Sequence, residues 1–253
     1  MTIEAIKERD SGIEEGLDSP FSSKRWLAYF EDNKNARVAI SFPPNQSVPI
    51  AVVEPLLKSL QRFQIGETGE GNHLRRCART LNDPRYDQCI DLFIKEEQFH
   101  ARVLADMIGS LNGTLLTWHW TDLAFIGLRR MLHLKTEIFV LLIAEVIGKC
   151  FYRLCADRLQ NNLLSDAFSL VVLDEIGHLE FHCSFLRSHM QHLPTAIRYT
   201  VCYLWAALFY AACLIFIADH APTIKALGTT NRKFLSSCTD TFNRSAARAL
   251  DLK

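Results

Sequence analysis

Glutamates and histidines recur with one spacing in two successive parts of this chain. The repeated unit is a single glutamate followed 30 residues later by a Glu-x-x-His motif, and its copies are Glu67 with Glu97 and His100, and Glu145 with Glu175 and His178. A turn near the midpoint of each copy would fold it as a helical hairpin and bring its two glutamates level. This repeat restricts the fold more than any other feature of the sequence.

Hydrophobic periodicity predicts an all-α chain with four long helices. Apolar residues recur at helical spacing over residues 55–81, 84–111, 132–160 and 163–191, and no alternating strand pattern competes. Asn82-Asp83-Pro84 supplies a helix stop, a cap and a proline for the first helical position. A short helix is expected at 24–31 within an otherwise polar segment.

The loops within each helix pair are short, whereas residues 113–132 form a long link between the pairs. A 28-residue helix is roughly 42 Å long, and about 20 linking residues can span it. The second and third helices can therefore run parallel by a crossover. The domain prediction is a polar arm at 1–47, a four-helix bundle at 48–195, and a hydrophobic helix with a basic tail at 196–253.

Composition limits the kind of protein that this chain can be. Its 253 residues include 28 Lys and Arg against 28 Asp and Glu, so no nucleic-acid partner is expected. The eight cysteines form no Cys-x-x-Cys pair, which favours buried thiols in a reducing cytosol. The first 19 residues are charged and lack an apolar signal core, so we expect a cytoplasmic protein.

The two motifs predict a pair of metal ions inside the bundle. Glu and His three residues apart on a helix point the same way and can reach one ion. Uncompensated carboxylates in a bundle core would each cost several kcal/mol, so cations must balance them. Oxygen-rich ligands with one imidazole per ion favour Fe or Mn over structural zinc. The predicted ligand sets are Glu67, Glu97 and His100 for one ion, and Glu145, Glu175 and His178 for the other, with Glu97 and Glu175 bridging.

The first ligand of the first set has a competitor. Glu70 lies one turn after Glu67 and faces the same way if the helix continues. The equal spacing of the two copies favours Glu67. A single Glu-x-x-His motif is usually solvated or salt-bridged at a helix surface, but two matched copies on apolar stripes are hard to explain in that way.

The acids that precede the motifs are candidates to orient the histidines. Metal-bound imidazoles usually donate their second N–H to a carboxylate or a carbonyl. We expect Asp174 to orient His100, and Glu96 to orient His178.

Two further residues are candidates for catalysis. His182 lies one turn beyond His178, and is either a hydrogen-bonded core histidine or a seventh ligand or proton donor. Tyr152 lies two turns beyond Glu145, and is either a core tyrosine or a radical or proton relay. Gly148, one turn after Glu145, leaves space for O₂ or substrate, or serves close helix packing.

The motifs carry a family resemblance over residues 50–192. Glu96-Glu97-x-x-His100 and Asp174-Glu175-x-x-His178 resemble the paired motifs of the ferritin-like di-iron carboxylate superfamily, which includes soluble acyl-carrier-protein desaturases, arylamine N-oxygenases and rubrerythrin-like proteins. The resemblance implies a ferritin-like bundle, O₂ activation by a reduced di-iron centre, and the same six ligands. Val171 stands where the arylamine N-oxygenases have an extra histidine, and the Cys-x-x-Cys pairs of a full rubrerythrin are missing.

The expected function is that of an O₂-activating non-haem di-iron oxygenase or oxidase. Its substrate would be a small organic or acyl-type molecule, and the reaction hydroxylation, desaturation or N-oxygenation. The implied cofactors are two Fe ions or a Mn/Fe pair, with O₂ as co-substrate and an electron-transfer protein as the external electron donor. A homodimer is expected. The alternative is a rubrerythrin-like or ferritin-like protein that handles metal or removes peroxide without an organic substrate.

Residues 199–218 form a run of 20 residues without a charge, between Arg198 and Asp219. By length this run can cross a membrane. Alternatively, it is a buried fifth helix for subunit contact or a lipid-like substrate channel. The basic tail after Pro222 is expected to pack loosely.

Overall fold

The computed structural model describes residues 20–37, 40, 42–43, 48–117, 133–159 and 163–252. Within these ranges every regular element is an α-helix and no strand occurs. The helices are α1 (Ser23–Ala36), α2 (Ile50–Glu67), α3 (Asn72–Arg79), α4 (Pro84–Ser110), α5 (Leu134–Arg158), α6 (Leu163–Met190), α7 (Thr195–Ala226) and α8 (Asn231–Ala249). The predicted all-α class is confirmed. Residues 1–19, and most of the predicted crossover at 113–132, lie outside the described residues.

The predicted first long helix, at 55–81, is wrong because the chain breaks into α2 and α3. Residues 68–71 separate the two helices, and Gly71 has a φ of 65°, in the left-handed region. Glycine adopts this conformation without steric cost. A Cβ at Gly71 would also clash with the side chain of Ile94. The apolar periodicity continues across the break, which explains why the sequence pattern did not reveal it.

The start of α4 follows from three consecutive residues. Asn82 adopts a positive φ of 53°, and Pro84 occupies the first turn. The Asp83 carboxylate accepts hydrogen bonds from the backbone N–H groups of Arg85 and Tyr86, at 3.0 and 3.2 Å. These contacts satisfy amides that have no partner within the helix. The second predicted helix is thus confirmed, as are the third and fourth, which correspond to α5 and α6.

The helices form two compact units. The amino-terminal unit runs from Ser22 to Glu137 and includes the first residues of α6, and in it α1, α2 and α3 all pack against α4. Its buried core includes Phe30, Leu56, Leu60, Ile90 and Phe93. The boundary between the units passes through α5 and α6, inside the segment predicted as one bundle. The predicted domain limits stay a prediction.

The carboxy-terminal unit contains most of α5 and α6 together with α7 and α8. The Trp205 indole N–H donates to the Phe139 carbonyl at 2.8 Å, and the Phe209 ring stacks on Phe242 with 4.2 Å between centroids. One face of α8 is buried at four-residue intervals, namely Phe234, Cys238, Phe242 and Ala246. The prediction that the tail packs loosely is therefore wrong, because its apolar residues form a helical stripe despite its charge.

Helix α7 is long and apolar enough to cross a membrane, which holds for no other helix in the described ranges. Its most apolar 18-residue window has a mean hydropathy of 2.3, and 22% of that window is buried. Tyr203 and Leu204 are 73% and 69% exposed, whereas Trp205 and Phe209 are buried. The helix thus packs along one side and presents an apolar face on the other. Membrane insertion, and a fifth helix for subunit contact or a lipid-like substrate channel, both stay predictions.

Replacement of Asp83 by Ala should destabilise the protein by about 1 kcal/mol, because the first turn of α4 loses its N-cap. Urea unfolding followed by circular dichroism measures this difference in the free energy of unfolding. Asp106→Ala is the matched control, since Asp106 is exposed on the same helix and caps nothing that the structure shows.

The effect of Asp83→Ala should shrink in acid. Burial alone would raise the pKa of Asp83. The net pKa is nevertheless lowered, because the carboxylate accepts hydrogen bonds from Ser23 and from the backbone amides of Tyr86 and Arg85, and because the Arg85 charge lies nearby. A lowered folded-state pKa means that the contribution is present at neutral pH and is lost as pH falls through that pKa. A difference that stays constant down to strongly acidic pH would contradict this account of the cap.

Candidate metal centre

The amino-terminal unit brings together the three residues predicted to bind the first metal ion. Ligand atoms of Glu67, Glu97 and His100 lie within 4.8 Å of one another. Glu97 and His100 lie one turn apart on α4, with 3.6 Å between the Glu97 carboxylate and Nδ1 of His100. His100 is fully buried, and the side chain of Glu97 is 18% exposed. We call this cluster the amino-terminal half-site.

The helix break decides between Glu67 and Glu70. Glu67 is the last residue of α2, whereas Glu70 lies in the turn that follows. Glu70 is exposed, and its carboxylate accepts a hydrogen bond from the Asn72 side chain at 2.6 Å. The two glutamates would share a face only in a continuous helix. The structure places Glu67, and not Glu70, in the half-site.

The carboxy-terminal unit brings together the residues predicted for the second ion. Nδ1 of His178 lies 3.4 Å from the Glu145 carboxylate and 3.9 Å from the Glu175 carboxylate. Glu145 belongs to α5, and the other two residues lie one turn apart on α6. The exposed fractions of Glu145, Glu175 and His178 are 4%, 2% and 0%. We call this cluster the carboxy-terminal half-site.

Each half-site has the charge and the ligand atoms of a divalent metal site. Two carboxylates with one neutral imidazole carry two negative charges, which one divalent cation would balance. Buried carboxylates cost several kcal/mol each without such compensation. Carboxylate oxygens with one imidazole nitrogen suit Fe or Mn, and neither half-site contains a thiolate. The residues present therefore fit the implied metal.

Glu96 has a partner that the sequence analysis missed. Its carboxylate lies 2.7 Å from the Arg37 guanidinium, which also sits over the Phe99 ring at 4.5 Å from the centroid. Arg37 directly follows α1 and belongs to the segment predicted as a polar arm. No local pattern indicates this pairing, because the two residues are far apart along the chain. The expected orientation of His178 by Glu96, and of His100 by Asp174, stays a prediction.

The two residues predicted to be catalytic are buried in the carboxy-terminal unit. His182 is fully buried one turn beyond His178, with its ring centroid 4.9 Å from that of Phe181. Tyr152 is also fully buried, and its ring stacks on Phe168 with 6.0 Å between centroids. Such packing suits a core residue and a relay equally well. Their catalytic roles stay predictions.

A cavity of about 200 Å³ lies in the carboxy-terminal unit between α5, α6 and α8. Its lining includes three cationic side chains, Lys149, Arg244 and Arg248, and one carboxylate, Glu180. Arg248 donates a hydrogen bond to Glu180, which is buried. The excess of positive charge favours an anionic group in this cavity.

Removal of the Arg37 side chain should destabilise the protein more than removal of an exposed arginine. Arg37→Met deletes a cation 2.7 Å from a buried carboxylate, and breaking a buried pair from one side costs about 3 kcal/mol or more. Urea unfolding measures the change in the free energy of unfolding.

The double variant Arg37→Met with Glu96→Gln separates the charge effect from lost packing. Neutralising the buried acid should restore part of the stability, while Arg25→Ala, at an exposed position of α1, should change it little. No recovery in the double variant would show that the charge of Glu96 is not the cause.

No family model matches the chain, and no curated protein or solved structure matches it. The likeness to the ferritin-like superfamily therefore rests on the two Glu-x-x-His motifs and on the acidic residue that precedes each of them, Glu96 and Asp174.

Proposed function

We propose that the protein is an O₂-activating non-haem di-iron oxygenase or oxidase that acts on a small organic or acyl-type substrate. The observation that carries this proposal is the pair of half-sites, each with two carboxylates and one fully buried histidine. A matched pair on one chain is typical of a two-metal site in a ferritin-like bundle. The proposal includes that bundle, its crossover, and one shared centre with Glu97 and Glu175 as bridging ligands.

Iron, when bound, would supply the redox chemistry toward O₂, and the chain supplies what surrounds it. His100 and His178 would hold the ions, and because both rings are fully buried they would bind them on a side that is closed to water. The carboxylates offset the positive charge of the ions. His182, one turn from His178 on α6, is the residue to hold or move a proton, and Tyr152 is a second candidate for that role.

The proposed partners follow from this chemistry. Reduction of the two ions between turnovers needs electrons from outside, so an electron-transfer protein is the expected donor. We also propose that the protein is a homodimer and that it is cytoplasmic. Any contact with a membrane would occur through the exposed apolar face of α7. Fe/Fe and Mn/Fe loading are both compatible with these ligands.

The proposal predicts two iron ions per chain and O₂ consumption by the reduced protein. Elemental analysis measures the metal content, and an oxygen electrode follows O₂ uptake after anaerobic loading with Fe(II). Glu97→Ala and His178→Ala should each lower the uptake by about tenfold or more, because each removes a ligand. Glu70→Ala is the matched control, since Glu70 is an exposed glutamate outside the half-site, and it should behave as wild type.

Protein that binds no iron and consumes no O₂ under these conditions would exclude the proposal. If Glu70→Ala lowered O₂ uptake as much as Glu97→Ala does, the assignment of Glu67 rather than Glu70 as the ligand would be wrong. Rapid turnover of peroxide, with no coupling of O₂ uptake to any organic substrate, would favour the alternative of a metal-handling or peroxide-protective protein.

A further inference from the structure

A third cluster of metal-ligating side chains lies in the amino-terminal unit, apart from both half-sites. It consists of His73 and Cys77 on α3 and Glu137 on α5, and their ligand atoms all lie within 4.8 Å of one another. None of these residues belongs to either half-site. The sequence analysis did not single them out, because 64 residues separate His73 from Glu137.

The geometry of the cluster centres on one nitrogen atom. Nδ1 of His73 lies 2.9 Å from the Glu137 carboxylate and 3.7 Å from the Cys77 sulfur. Tetrahedral zinc, with Zn–N near 2.1 Å, Zn–S near 2.3 Å and Zn–O near 2.1 Å, holds its ligand atoms roughly 3.3–3.7 Å apart. The two separations at Nδ1, 2.9 and 3.7 Å, lie close to this range, and all three ligand atoms lie within 4.8 Å of one another. Side-chain rotations would place the three atoms around one ion.

The local structure explains how three residues of different types meet here. His73 and Cys77 are four residues apart and therefore share one face of α3. The turn at Gly71 starts α3 separately from α2 and so sets the direction of this face. Glu137 lies in the first turn of α5 and is fully buried. The side chain of His73 is 22% exposed, so the cluster is open to solvent on one side.

The chemistry of the three ligands selects the metal. A thiolate is a soft ligand that Mg²⁺ and Ca²⁺ avoid, whereas zinc commonly binds sulfur, imidazole and carboxylate together. A thiolate and a carboxylate carry two negative charges, which one Zn²⁺ would balance. The cation would also offset the cost of burying the Glu137 carboxylate, which a neutral imidazole offsets only in part.

We propose that His73, Cys77 and Glu137 form a zinc site that ties α3 to the first turn of α5, with water as the fourth ligand. The ion replaces the proton of the Cys77 thiol, which leaves to solvent. The neutral His73 ring binds the ion through Nδ1 and keeps its one ring proton on Nε2. The site is separate from the proposed di-iron centre, which has no thiolate ligand. The two proposals therefore stand or fall independently.

Cobalt(II) is the probe that separates the two kinds of site. Metal-free full-length protein titrated with Co(II) should develop a thiolate-to-cobalt charge-transfer band in the near ultraviolet. At saturation its intensity should correspond to one thiolate-bound cobalt ion per chain, and zinc should abolish it. Cys77→Ser should lose the band. Cys202→Ser is the matched control, because Cys202 is also a half-buried cysteine but belongs to α7, and it should keep the band.

Two further measurements keep the test decisive if Cys77→Ser folds poorly. In wild-type protein, zinc should slow alkylation of Cys77 by about tenfold or more, as measured by mass spectrometry of the labelled peptide, and leave Cys202 unaffected. His73→Gln should weaken Co(II) binding by about tenfold or more, while Glu97→Ala should leave the charge-transfer band intact. Absence of the band in wild type, its persistence in Cys77→Ser, or equal labelling of Cys77 with and without zinc would overturn the proposal.

Discussion

Buried negative charge is the constraint on which the described structure depends. Glu96, Glu137, Glu145 and Glu175 are all less than 5% exposed, and a carboxylate in such surroundings needs a cation or several hydrogen bonds. The structure meets this need in two ways. Arg37 pairs with Glu96, whereas imidazoles lie beside the other three acids.

The kind of partner differs between Glu96 and the acids that we propose as metal ligands. A guanidinium is always charged, so the pair of Glu96 with Arg37 is complete without further ions. An imidazole can itself bind a metal ion through a ring nitrogen, so an acid beside a histidine can share one cation with it. The three clusters that we assign to metals are all of the second kind. The kind of partner therefore agrees with the spacing of the motifs at the two half-sites, and it adds the cluster of His73, Cys77 and Glu137, which no motif marks.

Sequence patterns predicted the elements whose signals are local. Asp83 and Pro84 mark the start of α4, and the spacing of Glu97 and His100 places both on one helix face, as the structure shows. The break before α3 was missed because the apolar residues keep a helical spacing across it. The local sign of the break is a pair of glycines in the turn, Gly69 and Gly71. Helix α8 was missed because the sequence analysis gave weight to the positive charge of the tail. It overlooked the apolar residues that recur at helical spacing from Phe234 onward. Pairings between distant residues, such as that of Arg37, leave no local signal at all.

The end of α2 at Glu67 gives this glutamate an unusual electrostatic position. The last turn of a helix exposes carbonyl groups whose partial negative charge opposes an acidic side chain, typically by about 0.3–1 kcal/mol. A cation bound by Glu67 would interact favourably with the carboxylate and with the helix terminus together. The end of the helix before residues 68–71 is thus unfavourable for a lone carboxylate and would be favourable for a bound cation. If the amino-terminal half-site binds the proposed metal, its affinity would depend in part on where α2 ends.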